Sequence, residues 1–227
     1  YFKKFNNTNR GYDKWNQHIH SFGIGEWMNN DFLSGRKGFL PKSEYYDNYY
    51  KKGRWKSSTI ISMAIGQGEL LLTPIQMANM TAIIANKGYY YIPHIIKSIE
   101  NKEVIDSSFL SKRYCTINSK YFDVIHEGME MVINNKDGTA KNTLIKDISF
   151  CGKTGTAENS HGKDHSIFIA FAPKENPKIA LSVYVENGGW GATWAAPIAS
   201  LLIEKYLNGK IANKQLEKHI LNGNLIE

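Results

Sequence analysis

The stretch CGKTGTAENSHGKDHSIFIAFAP, from Cys151 to Pro173, decides the fold together with KIALSVYVE, from Lys178 to Glu186. Apolar, β-branched and aromatic runs predict three consecutive strands, in DISFCGKTGTA, HSIFIAFAP and KIALSVYVE. In the third, apolar residues alternate with small or polar ones, which is the period of a half-buried strand. The segment PKENPK between the second and third strands has turn composition, so these two strands are predicted to be antiparallel.

A helix is predicted to follow these strands and to cover them. After ENGGWGA the sequence predicts a helix from Thr193 to about Leu207. Strands joined by short turns and then covered by a helix are typical of an α+β fold, with an antiparallel sheet backed by helices. The inner side of this helix is predicted to consist of Trp194, Ile198, Leu201, Leu202 and Tyr206.

Two further helices are expected upstream of the strands. In TPIQ, Thr73 is a helix N-cap, Pro74 occupies the first helical position and Gln76 reaches back to the cap. Gly88 is expected to end this helix in the left-handed conformation. The second helix is predicted from about Ser119 to Asn134, and its apolar face comprises Phe122, Ile125, Met129, Val132 and Ile133.

The beginning of the chain is less regular. Residues 23–55 have no sustained period and predict a long loop with at most short elements, whereas GYYYIPHIIKSI (88–99) is predicted to be extended. We divide the chain into a helix with a long loop (1–64), a helical part (65–135), the sheet with its helix (136–207) and a tail (208–227). From residue 1 to about residue 27 the apolar residues have a loosely helical spacing that Gly11 interrupts; they are Phe2, Phe5, Tyr12, Trp15, Ile19 and Phe22.

Composition argues against several kinds of partner and site. The 227 residues carry a formal charge of +7, but the 28 Lys and Arg are spread thinly and no nucleic-acid motif is present, so no nucleic-acid partner is expected. The cysteines, Cys115 and Cys151, are too few for a structural zinc site; their pairing stays open, and Cys151 is interpreted as a small buried hydrophobe. No metal site is predicted. His161 and His165 flank the predicted hairpin and could line a cleft, although a surface or hydrogen-bonding role is favoured for each.

The Lys-Thr-Gly-Thr run, Lys153 to Thr156, carries the chemical signal. An acyl-transfer site needs a nucleophile, a proton acceptor and donors aimed at the developing oxyanion. On a strand, Lys153 supplies a positive charge and Thr154 a hydroxyl donor. Gly155 lets a substrate backbone lie against the strand edge, and the N–H of Thr156 is expected to act as an oxyanion donor. The interpretation depends on context, since the run ends an apolar strand and opens into a hairpin.

The other segments of this chain that match acyl-transfer motifs are judged to be coincidences. SGRK (Ser34 to Lys37) and SHGK (Ser160 to Lys163) match Ser-x-x-Lys, yet both lie in predicted loops. The chemistry needs that serine at a helix N-terminus, with the lysine one turn further on. Ser-x-Asn is missing, and YDN (Tyr46 to Asn48) and YLN (Tyr206 to Asn208) only mimic a Tyr-x-Asn variant.

Four separated segments resemble the transpeptidase domain of class B penicillin-binding proteins. They are AIGQGELLLTPIQMANMTAIIANKG, CGKTGTAEN, HSIFIAFAP and VENGGWGATWAAPIASLLIEKYL, in the order that the family has. The Gly-Gln-Gly and Thr-Pro-x-Gln-Met forms resemble penicillin-binding protein 2 of the cell-elongation machinery more than the division homologue. The resemblance runs from near Tyr1 to about Leu207 and implies the fold shared by penicillin-binding transpeptidases and serine β-lactamases.

This resemblance implies a peptidoglycan D,D-transpeptidase that cross-links stem peptides through a serine acyl-enzyme and is a target of β-lactams. In the family, Ser-x-x-Lys and then Ser-x-Asn precede Lys-Thr-Gly, and an aromatic helix resembling YFKKFNN follows Ser-x-Asn closely. The chain is therefore expected to begin just past the second motif and to be the C-terminal part of one transpeptidase domain. The fold would then be incomplete on its N-terminal side, and the chain, lacking the nucleophile, would be inactive alone.

Carried over residue by residue, the resemblance implies catalytic roles for Lys153 and Thr156. Lys153 would contribute to the positive charge and the proton network of the cleft, while the hydroxyls of Thr154 and Thr156 would bind the terminal carboxylate of a D-alanyl-D-alanine stem peptide or of a β-lactam. Gly155 would contact the same substrate, and the N–H of Thr156 would be one oxyanion donor. The family needs no metal or organic cofactor for this reaction.

The resemblance also implies where the parent protein works. An N-terminal helix would anchor it in the inner membrane, with this domain in the periplasm, and proteins of the cell-elongation machinery would be its partners. The family's sheet has five strands, of which only three are assigned to this chain. Uncovered strand edges favour association, so the isolated chain is expected to self-associate, or to order only part of the loop 23–55.

Two alternative functions remain. One is a β-lactamase or β-lactam sensor of related fold, which the Gly-Gln-Gly and Thr-Pro-x-Gln-Met segment and its distance from Lys153 argue against. The other is a non-catalytic module that keeps the fold. The intact run from Lys153 to Thr156 argues against this for the parent, because a purely structural strand has no need of that lysine.

Overall fold

The computed structural model describes residues 4–5, 7–32, 34–99 and 106–225, and the chain divides into two compact units. The first comprises Tyr1–Gln76 and Tyr89–Ile117, and the second Met77–Gly88 and Asn118–Glu227. In chain order the described elements are α1 Thr8–His20, α2 Ser43–Tyr50, a 3₁₀ helix Ser57–Ile65, α3 Pro74–Ala85, β1 Tyr89–Tyr90, α4 Ser107–Leu110, β2 Arg113–Tyr114, α5 Phe122–Asn134, β3 Cys151–Ala157, β4 His165–Ala172, β5 Ile179–Val185, α6 Ala195–Asn208 and α7 Lys214–Leu221, with short 3₁₀ turns at Ser119–Tyr121 and Lys141–Thr143.

The three strands that the sequence predicts form one antiparallel sheet in the second unit, in the order β3-β4-β5. In the register of β3 and β4, Lys153 is paired with Ile169 and Thr156 with Ser166. The ladder begins at Cys151, so the first four residues of the predicted strand DISFCGKTGTA precede it. Helices accompany this antiparallel sheet, and the predicted α+β class is confirmed.

One face of β4 is buried and the other is half-buried along His165, Ile167 and Ile169, which explains its nearly continuous apolar sequence HSIFIAFA. One row of β4 side chains, including Phe168 and Ala170, packs against alanines of α6. The opposite row includes Phe171, which packs with Cys151 of β3 and Met129 of α5. The sheet therefore separates two apolar layers within the second unit.

The predicted inner side of α6 is correct at Leu201, which is buried, but wrong at Leu202 and Tyr206. The helix begins at Ala195, and Leu202 and Tyr206 are 48% and 61% exposed. Small side chains let a helix approach a sheet that already carries large ones such as Phe168, so alanine and serine take the inner positions. The buried residues of α6 are Ala195, Ala196, Pro197, Ala199, Ser200, Leu201, Ile203 and Glu204.

The predicted apolar face of α5 is correct except at one turn. Phe122, Met129 and Ile133 are buried, but Ile125 is 45% exposed and His126 is buried in its place. His126 Nε2 donates a hydrogen bond to the carbonyl oxygen of Ile84 at 2.7 Å, and its ring lies 4.7 Å from that of Phe171. A buried imidazole that is hydrogen-bonded and packed on an aromatic ring behaves as a core residue, which periodicity alone does not reveal.

The predicted start of α3 is confirmed. The backbone N–H of Thr73 donates to Gln76 Oε1 at 3.0 Å, and the N–H of Gln76 donates to Thr73 Oγ1 at 3.3 Å, which is the reciprocal capping box. At the other end, the predicted terminator needs correction. Lys87, with φ of 57°, already occupies the left-handed position, and Gly88 follows it and donates its N–H to the carbonyl of Ile83 at 2.8 Å.

The first unit is built around buried aromatic rings. α1 continues through Gly11, which is buried inside the helix rather than interrupting it, because a residue without a side chain permits close packing there. The predicted loop 23–55 contains one short helix, α2, within the limits of the prediction. Phe2 lies outside the described residues. The buried core of this unit consists of Tyr12, Tyr46, Trp55, Ile60 and Met63.

One region contains less regular structure than the sequence predicts, and another contains more. Only Tyr89–Tyr90 of the predicted extended segment 88–99 forms a strand, paired with Arg113–Tyr114. The predicted tail 208–227 contains the helix α7, which Asn213 caps by accepting a hydrogen bond from the N–H of Leu216 at 3.0 Å. None of the described helices is both long and apolar enough to cross a membrane.

The buried amide of Gln76 holds two loops of the first unit together. Its side chain is 1% exposed, and Nε2 lies 3.2 Å from the carbonyl oxygen of Gly23, 3.3 Å from that of Glu26 and 2.9 Å from that of Lys37. These carbonyls belong to two segments that are separated in the sequence, residues 23–26 and residue 37. One side chain therefore satisfies backbone groups that are far apart in sequence.

We predict that Gln76→Ala lowers the free energy of unfolding by about 2–3 kcal/mol, because carbonyl groups lose their buried donor. The matched control is Gln215→Ala on the exposed surface of α7, where a change within about 0.5 kcal/mol is expected. Urea denaturation followed by tryptophan fluorescence measures both. Equal stability of the two variants would contradict the assigned role of Gln76.

Candidate functional site

The Lys-Thr-Gly-Thr run lies on β3, at the edge of the sheet formed by the described strands. Lys153 is exposed, while Thr154, Gly155 and Thr156 are half-buried. The Nζ atom of Lys153 donates a hydrogen bond to the carbonyl oxygen of Thr154 at 2.8 Å. The run therefore places a cation beside an accessible strand.

The pairing register divides these residues between the two faces of the sheet. Lys153 and Gly155 are paired with Ile169 and Ile167, whereas Thr154 and Thr156 occupy the alternate positions on the α6 face. Side chains of one strand alternate between faces, so a ligand on either face would meet only half of the run. A ligand lying along the strand edge can meet both rows, which makes the edge the chemically useful surface.

The hydrogen bond of Lys153 also indicates which way the backbone groups of β3 point. An ammonium group cannot enter the ladder between β3 and β4, so the carbonyl of Thr154 points toward the outer edge. In an antiparallel pair, the N–H and C=O of one residue point to the same side, and this side alternates along the strand. The N–H of Thr156, two residues further on, therefore points to the same edge as the carbonyl of Thr154.

Thr139 contributes a second hydroxyl group that the sequence analysis missed. Thr139 Oγ1 lies 3.0 Å from Thr154 Oγ1, and Thr139 is exposed in the turn that follows α5. The Asp137-Gly138 pair marks this turn in the sequence, but nothing in the sequence indicates that the turn reaches β3. Two hydroxyls thus converge on the α6 side of the run.

The loop between β5 and α6 packs directly on the run. The N–H of Gly191 donates to Thr156 Oγ1 at 3.4 Å. A Cβ atom on Gly191 would lie 2.4 Å from the carbonyl oxygens of both Gly155 and Ile167. Only glycine fits this contact without movement of the loop or the strand, because real Cβ atoms essentially never approach oxygen so closely.

A fully buried serine fixes the same loop at its other side. Ser166 Oγ donates to the carbonyl oxygen of Trp190 at 2.9 Å and accepts a hydrogen bond from the N–H of Ala195 at 3.1 Å. Ser166 is the register partner of Thr156, so neighbouring hydroxyls from two strands hold the loop in place. The loop therefore supports β3 through specific hydrogen bonds as well as close packing.

The coincidental motif matches do not form a second catalytic site. Ser34 is exposed in a bend and Ser160 in the turn between β3 and β4, and neither stands at the start of a described helix. Tyr46 is a buried core residue of the first unit, where its hydroxyl bonds Glu69 Oε2 at 3.0 Å, and burial raises its pKa. Tyr206 is exposed on α6.

The two histidines near the hairpin make local contacts. His161 is exposed, and its Nδ1 lies 2.8 Å from Ser160 Oγ. His165 begins β4 as the register partner of Ala157, and its Nδ1 accepts a hydrogen bond from the N–H of Asn187 at 3.1 Å. Both therefore have hydrogen-bonding roles at the turn end of the hairpin.

The cysteines do not supply an alternative nucleophile. Both thiols are free, and burial raises the pKa of Cys151 to about 12. A thiol with such a pKa stays protonated at neutral pH and is a poor nucleophile. Across the described ranges, no group of three or more His, Cys, Asp or Glu side chains could hold a metal ion.

Comparison with known proteins identifies one family. The model of the penicillin binding protein transpeptidase domain matches residues 1–204. The peptidoglycan D,D-transpeptidase MrdA of Haemophilus influenzae is 31% identical over 229 residues, which cover 93% of this chain and 35% of that protein. The chain therefore spans about a third of the length of the curated relatives that it matches first.

Solved structures show the same relationship. The crystal structure of Pseudomonas aeruginosa PBP2 in complex with WCK 5153 matches with a TM-score of 0.76 and 31% identity, over 89% of this chain and 44% of that one. The complex between PBP2 and MreC from Helicobacter pylori matches with a TM-score of 0.69 and 26% identity, over 88% and 38%. These similarities confirm the predicted fold of penicillin-binding transpeptidases.

We predict that Gly191→Ala destabilises the second unit by about 1–3 kcal/mol, because the new methyl group must push the loop away from β3. Gly128→Ala is the matched control, since a Cβ at this exposed position of α5 meets no atom within 4 Å. It should stabilise the protein by about 0.5–1 kcal/mol through helix propensity. Thermal unfolding measures both; similar midpoints would disprove the tight contact.

Proposed function

This chain belongs to the penicillin-binding protein transpeptidase family, and we propose that it forms the substrate-binding part of a serine-type peptidoglycan D,D-transpeptidase. The observation that carries the proposal is the Lys153–Thr156 run on an edge strand, with backbone groups directed outward. An extended peptide can add to such an edge as a further strand and be held by main-chain hydrogen bonds. The proposed ligand of this edge is a stem peptide ending in D-Ala-D-Ala.

The polar groups around the edge suit the anionic end of that peptide. Lys153 supplies the positive charge for a terminal carboxylate, and the hydroxyls of Thr154 and Thr156 supply hydrogen bonds. Thr139 Oγ1 bonds Thr154 Oγ1 and can orient this hydroxyl toward the carboxylate. Gly155 has no side chain to obstruct the peptide backbone.

The N–H of Thr156 is the proposed oxyanion donor of this chain. Its outward direction suits a carbonyl group that lies along β3, where negative charge develops on the oxygen during acyl transfer. The contact of Gly191 with Thr156 and Gly155 holds the strand in position before the reaction. A preorganised donor of this kind lowers the activation barrier because it needs no reorganisation in the transition state.

The nucleophile is proposed to come from a serine outside the 227 residues. None of the described helices begins with a Ser-x-x-Lys segment, and the curated relatives are about three times as long as this chain. In the complete enzyme, that serine would attack the D-Ala-D-Ala carbonyl carbon and expel the terminal D-alanine. The amine of a second stem peptide would then attack the acyl-enzyme, forming the cross-link and releasing the serine.

The proposal extends to inhibitors, partners and location. A β-lactam would take the place of D-Ala-D-Ala at β3, as the name of the matching family suggests. Cell-elongation proteins are proposed partners, since the PBP2 of Helicobacter pylori forms a complex with MreC. The parent protein is proposed to be anchored in the inner membrane, with this domain in the periplasm. The β-lactamase, sensor and non-catalytic alternatives receive no specific support from the site.

We predict that Lys153→Ala in the longer protein slows acylation by penicillin about 10²–10³-fold, because a cation that favours the bound carboxylate and the transition state is removed. The matched control is Lys178→Ala in the turn between β4 and β5, which should react at the wild-type rate. Stopped-flow measurements with a fluorescent penicillin give both rates. Unchanged acylation in the Lys153 variant would disprove its role.

We also predict that the 227-residue chain alone forms no covalent adduct with penicillin, because the serines of its two Ser-x-x-Lys segments, Ser34 and Ser160, do not stand at the start of a described helix. Intact-protein mass spectrometry after incubation with benzylpenicillin measures the adduct. A stoichiometric mass increase would contradict this prediction and direct attention back to Ser34 and Ser160.

A further inference from the structure

The first unit contains a cleft of about 480 Å³ that the transpeptidase chemistry does not use. α1 forms one wall, and the segments 25–29 and 37–42 form the others. Its volume lies within the range of about 300–1,000 Å³ that is usual for small-molecule sites. The polar and aromatic residues that line it include His20, Glu26, Trp27, Asn29, Lys37 and Lys42.

Side-chain hydrogen bonds join the three walls of this cleft. His20 of α1 approaches Glu26 with Nε2 to Oε1 at 2.7 Å. Asn16 Nδ2, also on α1, donates to the carbonyl oxygen of Pro41 at 2.7 Å. The buried amide of Gln76 bonds the carbonyl oxygens of Glu26 and Lys37, one on each remaining wall. The walls are thus held in place without a ligand, which reduces the entropy lost on binding.

The lining of the cleft combines an aromatic ring with donors and cations. Trp27 is 43% exposed, whereas Tyr12, Tyr46 and Trp55 of the same unit are buried in its core. Within the described part of the chain, the side chains of Asn29, Lys37 and Lys42 make no hydrogen bond or ion pair. The lining has two lysines and one glutamate, so the cleft carries a net positive charge. A ligand must therefore offer a flat apolar face, amide or hydroxyl groups, and carboxylates.

We propose that this cleft binds an N-acetylated sugar bearing a short acidic peptide, the repeating unit of peptidoglycan. The apolar face of a sugar ring packs on Trp27, the amide of Asn29 hydrogen-bonds the sugar or its acetamido group, and Lys37 and Lys42 pair with peptide carboxylates. The identity of the polymer rests on the proposed function. The cleft then holds the substrate polymer at a place other than β3.

Other ligand classes fit this lining less well. A lipid surface needs an apolar helix face rich in Leu, Phe and Trp, whereas the walls here offer Leu40 and Trp27 among polar groups. A nucleic acid needs a track of cations along its backbone, and the cleft has two exposed lysines. The pairing of one aromatic platform with a few polar groups favours a small, partly charged saccharide.

Calorimetric titration tests this proposal on the 227-residue chain. The probe is a soluble disaccharide-tetrapeptide with free carboxylates, released from peptidoglycan by a muramidase. Trp27→Ala should weaken binding at least about tenfold, since burial of an aromatic platform contributes more than about 1.4 kcal/mol. Replacing both Lys37 and Lys42 by Ala should weaken it by a similar factor and reduce its dependence on salt.

Matched controls lie on the exposed surface of the same unit. Tyr49→Ala removes an aromatic ring that is 72% exposed, and Lys52→Ala removes an exposed lysine, both outside the cleft. Both controls should bind as the wild type does, and circular dichroism shows that each variant is folded. Absence of binding by the wild type, or wild-type affinity in Trp27→Ala, would overturn the proposal.

A comparison of two ligands tests separately the binding of the sugar and the pairing of the lysines with the peptide carboxylates. The disaccharide without its peptide should bind more weakly than the complete probe, and equal affinity would refute the role of the lysines. The titration measures no acylation, so its failure leaves the penicillin experiment on Lys153 unaffected. Conversely, cleft-dependent binding by this chain, together with no penicillin acylation of the longer protein, would support the cleft and remove the proposed function.

Discussion

Strand β3 has to be packed on both faces and yet keep one edge accessible, and the rest of the second unit follows from this constraint. Cys151 lies in the apolar layer with Phe171 and Met129, and Gly155 lies beneath the loop that carries Gly191. The ladder with β4 fixes the other edge. Because the backbone is fixed on three sides, the groups of the Lys153–Thr156 run that point to the outer edge have defined positions. The accessible edge of β3 is therefore held in position by the buried contacts on the two faces of the strand and by the ladder on its other edge.

Small residues make this arrangement possible. Alanines on the inner side of α6 let the helix lie close to a sheet that already contains Phe168, and Gly191 lets a loop touch the backbone of β3. Larger side chains at these positions would separate the layers, and the hydroxyl of Ser166 would no longer reach the backbone of Trp190. Close packing therefore brings the hydrogen bonds within reach, and the hydrogen bonds in turn fix the packing.

The two units use similar means for different surfaces. In the first, the amide nitrogen of Gln76 lies within hydrogen-bond distance of three backbone carbonyls and so helps to define the walls of a charged cleft with Trp27. In the second, hydroxyl groups of Ser166 and Thr156 hold a loop against a strand. In both, a few polar side chains organise long segments without regular structure. The two proposals assign the peptide to the edge of β3 and the sugar to the cleft of the first unit.

The sequence by itself determined the three antiparallel strands, the capped start of α3 and the place of the Lys153–Thr156 run, because these follow from local periodicity and local turn chemistry. It did not determine which side of α6 is buried, that His126 lies in the core, or that Thr139 and Gly191 reach β3. Those facts depend on which side chains already fill the space opposite, and the partners are 15 or more residues away in the chain. Only the tertiary structure brings such groups together, since periodicity shows which residues of one element are apolar but not the shape of the element that packs against it.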